Sequence, residues 1–144
     1  MLKISKKADY ALVALSHLQT TTKPVSAKEI AGAYDLSAQM LANVLKCLAN
    51  EGFVASTRGS LGGYSLAKHP GEISVGEVIM VFEAGSGFSD CSSKEKECNA
   101  APNCPAMKPM LMINKKIKGF MDSLSLADIA QHQNIKGFTL EGIK

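Results

Sequence analysis

Three of the four cysteines in this 144-residue chain, Cys91, Cys98 and Cys104, fall within fourteen residues of one another. Thiolates are soft, strong metal ligands and also the reactive form of cysteine. The spacing Cys91-x6-Cys98-x5-Cys104 lacks the close CxxC pairs of a zinc knuckle. Gaps of that length let a loop wrap around something larger than one ion, and an iron–sulfur cluster is the cysteine-held group of that kind. On spacing alone, a zinc ion and a thiol–disulfide redox switch stay open beside it. A disulfide framework is not expected, because no secretion signal precedes these residues. Cys47, beside Val44 and Leu48 on a helical stretch, reads as a small buried hydrophobe. His17, His69 and His132 are scattered and read as structural or surface residues.

A second group of residues has the chemistry to read a nucleic acid. Gln39 and Asn43 carry amides that pair bidentately with adenine, and small residues such as Ser37 and Ala38 can approach thymine methyls. Lys46 lies further along the same stretch. Lys28 and Arg58 are candidate phosphate or minor-groove contacts, with Gly59 and Ser60 beside Arg58, and Lys3, Lys6 and Lys7 are further backbone candidates.

The elements that must position these groups are legible from pattern. Ala8, Ala11, Leu12, Leu15 and Leu18 recur at helical steps, predicting a helix over 5–18 with Ser5 as its cap. Ser26 and Glu29 match a capping box and open a short helix that runs to about Tyr34. Asp35-Leu36 makes a turn, Ser37 caps a third helix over 38–51, and Gly52 closes it. That succession is a helix-turn-helix, and its longer second helix is the one that would enter the major groove. Residues 53–58 and 64–67 read as strands around the Gly-rich tip Gly59-Ser60-Leu61-Gly62-Gly63, which makes a wing. A second capping box, Ser74 with Glu77, starts a helix to about Glu83.

Residues 84–103 lose periodicity and hold two of the three clustered cysteines, with Cys104 following directly. A structureless stretch of that length inside a small domain points to function. A helix is expected from Pro105 to Ser123, its apolar stripe formed by Met107, Met110, Leu111, Ile117, Phe120, Met121 and Leu124. So small a domain has little with which to cover that stripe, which implies pairing with a second copy. The expected organisation is a mainly α winged-helix domain over 1–83, a cysteine loop over 84–103, a dimerisation helix and short terminal helix over 104–131, and a tail over 132–144.

Composition narrows the classes further. With 46% apolar and 20% charged residues, the chain is ordinary for a globular protein. No apolar run approaches the length of a membrane span, so a cytoplasmic protein with no membrane partner is expected. The net charge of +3 permits nucleic-acid binding without demanding it. An enzyme is not expected: no nucleophile stands with a base, and the glycines of residues 59–63 sit between strands instead of opening a helix onto a phosphate.

Three segments together resemble the Rrf2 family of winged-helix regulators, which includes IscR and NsrR. They are Leu2-Lys3-Ile4-Ser5-Lys6-Lys7-Ala8-Asp9-Tyr10-Ala11, the wing Arg58-Gly59-Ser60-Leu61-Gly62-Gly63-Tyr64-Ser65-Leu66-Ala67, and Ile73-Ser74-Val75-Gly76-Glu77-Val78-Ile79 followed by the cysteine loop. A generic winged helix has no need of the Gly-Gly-Tyr run. The resemblance implies a homodimer with swapped contacts along the long C-terminal helix, bound to double-stranded DNA at an operator with dyad symmetry. It implies a repressor that senses nitric oxide, iron–sulfur status or redox state through a 2Fe–2S or 4Fe–4S cluster on Cys91, Cys98 and Cys104. The first cysteine gap is one residue longer than in IscR-like members, and Met107 stands where those members place a histidine, three residues after Cys104. Met107 belongs to the helix stripe and is a poor iron–sulfur ligand. Asp9 stands where NsrR-like members carry an aspartate that reaches the cluster from the partner subunit, which makes it the candidate fourth ligand and tilts the signal toward nitric oxide. Its other reading is an exposed carboxylate favoured near a helix N-terminus. Ala42 replaces an acidic residue that filters operator sequence in some relatives. Other members lack the cysteines, so the alternative implied is a metal-free regulator gated by thiol oxidation or by a protein partner.

Overall fold

The computed structural model describes residues 4–83 and 103–133, and in them serine side chains set where the helices begin. Ser5 caps α1 (Lys6–Leu18), Ser26 caps α2 (Ala27–Ala33) and Ser37 caps α3 (Ala38–Asn50), each accepting a backbone N–H three residues on. The box at α2 is complete. The Glu29 carboxylate accepts the Ser26 N–H at 2.8 Å and its hydroxyl at 2.6 Å, while Ser26 Oγ accepts the Glu29 N–H at 3.2 Å. Between α2 and α3, Asp35 takes a φ of +52°, a left-handed conformation that a short polar side chain tolerates. The Leu36 N–H then closes the turn on the Ala31 carbonyl at 2.9 Å.

The core lies where these three helices meet. Leu15, Ile30, Leu41, Val44, Leu45 and Leu48 are buried, joined by Phe53, Val54, Ile73, Val78 and Leu126. On α3 the buried positions 41, 44, 45 and 48 follow the helical period, so the opposite side is left to polar residues. The Tyr10 hydroxyl accepts the Ser37 N–H at 3.4 Å and ties α1 to the start of α3.

The wing is an antiparallel hairpin of β1 (Val54–Thr57) and β2 (Gly63–Leu66), in register from Val54 opposite Leu66 to Thr57 opposite Gly63. Its root is pinned by Val25, whose N–H and C=O bond to Tyr64 at 2.9 and 2.8 Å. This bridge explains the Gly-Gly-Tyr run. A Cβ at Gly63 would lie 2.5 Å from the Val25 carbonyl carbon, and one at Gly62 would lie 2.2 Å from the Thr57 carbonyl oxygen. Both positions have to be glycine for the hairpin to close and dock.

After a 3-10 turn at Pro70–Glu72, α4 (Val75–Phe82) leads to the end of the first described segment. The expected box at Ser74 is shared. Ser74 Oγ accepts the Glu77 N–H at 3.3 Å but donates to the Asp122 carbonyl at 3.1 Å. The chain resumes before α5 (Met107–Ser123) and ends its described part in α6 (Leu126–Gln133). Helix α5 starts two residues later than expected, and Pro109 occupies its first turn, where a missing N–H costs nothing. Helix α6 runs through His132, which lies in the helix and not in the tail, and it is opened by a full Ser125–Asp128 box that pattern reading passed over.

A second apolar cluster of Ala8, Val75 and Ile79, with Leu12, Phe82, Met121, Leu124 and Ile129 against it, binds α1, α4, α6 and the end of α5. Along α5 itself no residue is buried. Met107, Met110, Ile117 and Met121 are half-buried, while Leu111, Met112, Ile113 and Phe120 are exposed, Phe120 by 64%. The structure is therefore mainly helical with one two-stranded hairpin among the described residues. None of the described helices is long and apolar enough to cross a membrane.

Candidate nucleic-acid interface and cysteine site

Burial of Leu41, Val44, Leu45 and Leu48 turns Gln39, Asn43 and Lys46 outward, all three exposed at steps of four and three residues on α3. Ser37 and Ala38 stand exposed at the helix start, where Ser37 Oγ is already engaged by the Met40 N–H at 3.3 Å. Asn50 extends the exposed polar row by one further turn. Sequence reading stopped at Lys46, although the same spacing reaches Asn50. Lys28 is exposed in the first turn of α2. Arg58, Gly59 and Ser60 are exposed at the wing, whose tip turns on a Gly62 N–H to Gly59 carbonyl bond of 3.0 Å. Leu61 projects from that tip, 90% exposed. Long polar side chains on α3 and a cation on the wing can do what DNA binding requires: hydrogen-bond base edges and neutralise phosphate.

Gln39 and Asn43 also line one wall of a cavity of about 510 Å³, with Lys7, Ser37, Met40, Val44, Cys47, Val81 and Phe82 around it. Cys47 is thus half-buried at a cavity wall and not a core residue. Its place on α3 beside Val44 suggested the core, but the residue borders the gap between α3 and the end of α4.

Of the clustered cysteines, Cys91 and Cys98 lie outside the described residues. Cys104 is a free, half-buried thiol three residues before α5. Its carbonyl accepts the Met107 N–H at 3.3 Å, so the turn into the helix fixes its backbone. Met107 is half-buried on the α5 stripe, in keeping with a packing role. Asp9 is exposed in the first turn of α1. The described residues of one chain hold no group of three His, Cys, Asp or Glu side chains able to grip a metal ion. Of the expected ligands the described residues include Cys104, a free thiol of the kind that holds iron–sulfur clusters, and Asp9, an exposed carboxylate.

A helix-turn-helix with a free polar face, followed by a hairpin with an exposed arginine, defines a winged-helix DNA-binding regulator. The sequence profile of the Rrf2 family, described as iron-dependent transcriptional regulators, matches residues 4–132, and the chain belongs to that family. It is 34% identical over 139 residues to the HTH-type transcriptional regulator NsrR of Bacillus licheniformis, across 92% of this chain and 95% of that protein. It is 29% identical over 136 residues to IscR of Serratia proteamaculans, across 93% of this chain and 82% of that one. Among solved structures, CymR, the global cysteine regulator of B. subtilis, matches with a TM-score of 0.74 at 32% identity, covering 92% of this chain and 98% of that one. The protein is a transcription regulator whose partner is DNA, and its relatives are regulators and not enzymes.

Proposed function

We propose that the protein is a homodimeric repressor that reads a dyad-symmetric operator and senses nitric oxide, iron–sulfur status or redox state through its cysteines. The observation that carries the DNA half is the exposed row Gln39, Asn43 and Lys46 on a helix whose other face is fully committed to the core. Lys28, Ser37, Ala38, Arg58, Gly59 and Ser60 complete the contact surface. The half-buried and exposed apolar residues of α5, none of them buried within one chain, support pairing of two copies along that helix.

Cys91, Cys98 and Cys104 would hold the iron–sulfur cluster, 2Fe–2S or 4Fe–4S, with Asp9 as the fourth ligand. Such a group supplies a centre that responds to nitric oxide and to oxidants. Cys104 anchors one end of the cysteine segment at the start of α5, and its other end leaves α4 beside Phe82, which lines the cavity against α3. From Met107 to Asp122 the helix is about 22 Å long, so Cys104 stands far from the place where Asp122 meets α4. Asp9 lies in the first turn of α1, whose cap Ser5 donates its N–H to Glu83 Oε1 at 2.7 Å. The resemblance to NsrR-like members, in which this aspartate reaches across the dimer, supports Asp9 of a partner subunit as the ligand.

A second reading is supported by the likeness to CymR at 32% identity: the same fold gated by thiol oxidation or a protein partner, without metal. Anaerobic purification with iron and sulfide assays separates the two. Stoichiometric iron and sulfide in the wild type, lost in Cys98→Ala, is the result expected for the cluster. A colourless protein that also fails to reconstitute overturns it in favour of the thiol reading.

A further inference from the structure

Gly76, the second residue of α4, is buried against Asp122 near the end of α5. A Cβ built on Gly76 would lie 2.2 Å from Asp122 Oδ1, 2.8 Å from its backbone nitrogen and 3.0 Å from its Cα. The carboxylate could swing aside, but the backbone cannot. Any side chain at position 76 has to part the two helices.

Hydrogen bonds close the joint on every side of this contact. The Val75 N–H bonds the Leu124 carbonyl at 2.9 Å, the Leu126 N–H bonds the Ile73 carbonyl at 2.9 Å, and Ser74 Oγ bonds the Asp122 carbonyl at 3.1 Å. The far end of α4 is held as well, by the Ser5 N–H on Glu83 Oε1. Helix α4 is therefore packed between α1 and α5, hydrogen-bonded to the end of α5 at its start and to the start of α1 at its end. Helix α1 in turn packs along α3 through the shared core. Beyond the joint, no residue of α5 is fully buried, and Met107, Met110 and Ile117 are half-buried along one side of it.

We propose that Gly76 is a positioning residue that sets the angle between α5 and the winged helix, and through that angle the half-site spacing the dimer accepts. The inference rests on the dimeric operator reading above. Relieving a contact of 2.8 Å to an ordinary 3.4 Å requires a shift of about 0.6 Å. With the Leu124 hydrogen bond as a pivot about 5 Å away, that shift is a tilt of about 7°, or about 3 Å over the length of α5. One base step is about 3.4 Å. Two recognition helices must meet successive major grooves at a definite separation, so a tilt of this size is readable by DNA.

The test is a binding panel of operators whose half-site spacers differ by single base pairs, with sedimentation and thermal melting of each protein alongside. Gly76→Ala is expected to stay folded and dimeric, to change the order of preference among the spacers, and to bind the wild-type spacing about tenfold more weakly. The double variant with Asp122→Ala relieves the closest contact and is expected to move the optimum part of the way back. Equal weakening on every spacer, or no change on any, overturns the proposal, because a merely structural glycine acts on all operators alike. Should Gly76→Ala not fold, Ser74→Ala loosens the joint without adding an atom and is expected to broaden the spacer preference. A preference as sharp as that of the wild type then overturns the proposal. A wild-type protein that is monomeric, or indifferent to spacing, removes the dimeric reading itself and is recognised before any variant is made.

Discussion

Gln39 and Asn43 were legible as neighbours on one helix face because residues four apart share it, and the structure exposes both. Gln39→Ala is expected to cost about 1–3 kcal/mol on the preferred operator and to relax discrimination at one base position. Competition binding against single-base operator variants checks this. Arg58 is exposed on the wing and should act on phosphate or in the minor groove. Arg58→Ala is expected to weaken binding to all sequences alike and to lower the salt slope by about one, with the melting temperature unchanged. An unaltered salt slope removes Arg58 from the interface. Cys47 was less legible. Position on a helix beside Val44 and Leu48 predicts burial, but the sequence does not say that α4 stops short of covering it and leaves a cavity there. Ligand assignment at Asp9 likewise depends on what a second subunit brings near it, which no spacing within one chain encodes.

At the scale of elements, caps and periods carried most of the information. Each serine cap read from sequence engages the N–H three residues on. The box at α2 also makes a pH prediction. The Ser26 hydroxyl, and then its backbone N–H, hold the Glu29 carboxyl below its ordinary value of 4.5. A carboxyl with a depressed folded pKa stabilises the fold above its unfolded pKa, and loses that contribution as the pH falls toward the lower folded value. Melting curves should therefore fall less steeply with acid below about pH 4.5 in Glu29→Gln than in the wild type. Parallel curves for the two proteins contradict the box as a stabilising contact. Where elements meet through backbone, sequence was silent. The Val25–Tyr64 bridge and the Ser74–Asp122 bond join residues far apart in the chain, and only the glycines that make room for such contacts left a trace. The apolar stripe of α5 was legible as a surface, and among the described residues it is only half-covered, with Leu111 and Phe120 exposed. Phe120→Glu should convert a dimer to monomers in sedimentation, and a dimer that persists would place the interface elsewhere.

Among the described residues, helix α4 lies between α1 of the winged helix and the end of α5. Helix α4 touches α5 at Asp122, α1 at Ser5, and the cavity wall opposite α3 at Val81 and Phe82. On the proposed dimeric reading, a change at the cysteines would reach both recognition helices through this packing, and their spacing would set affinity. The winged-helix class was readable from the chain because local patterns define it. The packing of α4 against α1 and α5 was not, because it joins segments with no common pattern. The most direct measurement is operator affinity of one anaerobic preparation before and after its iron and sulfide are removed, repeated after exposure to nitric oxide. The account predicts an affinity that differs between the loaded and stripped protein and shifts again with nitric oxide. Equal affinity in all three states contradicts it.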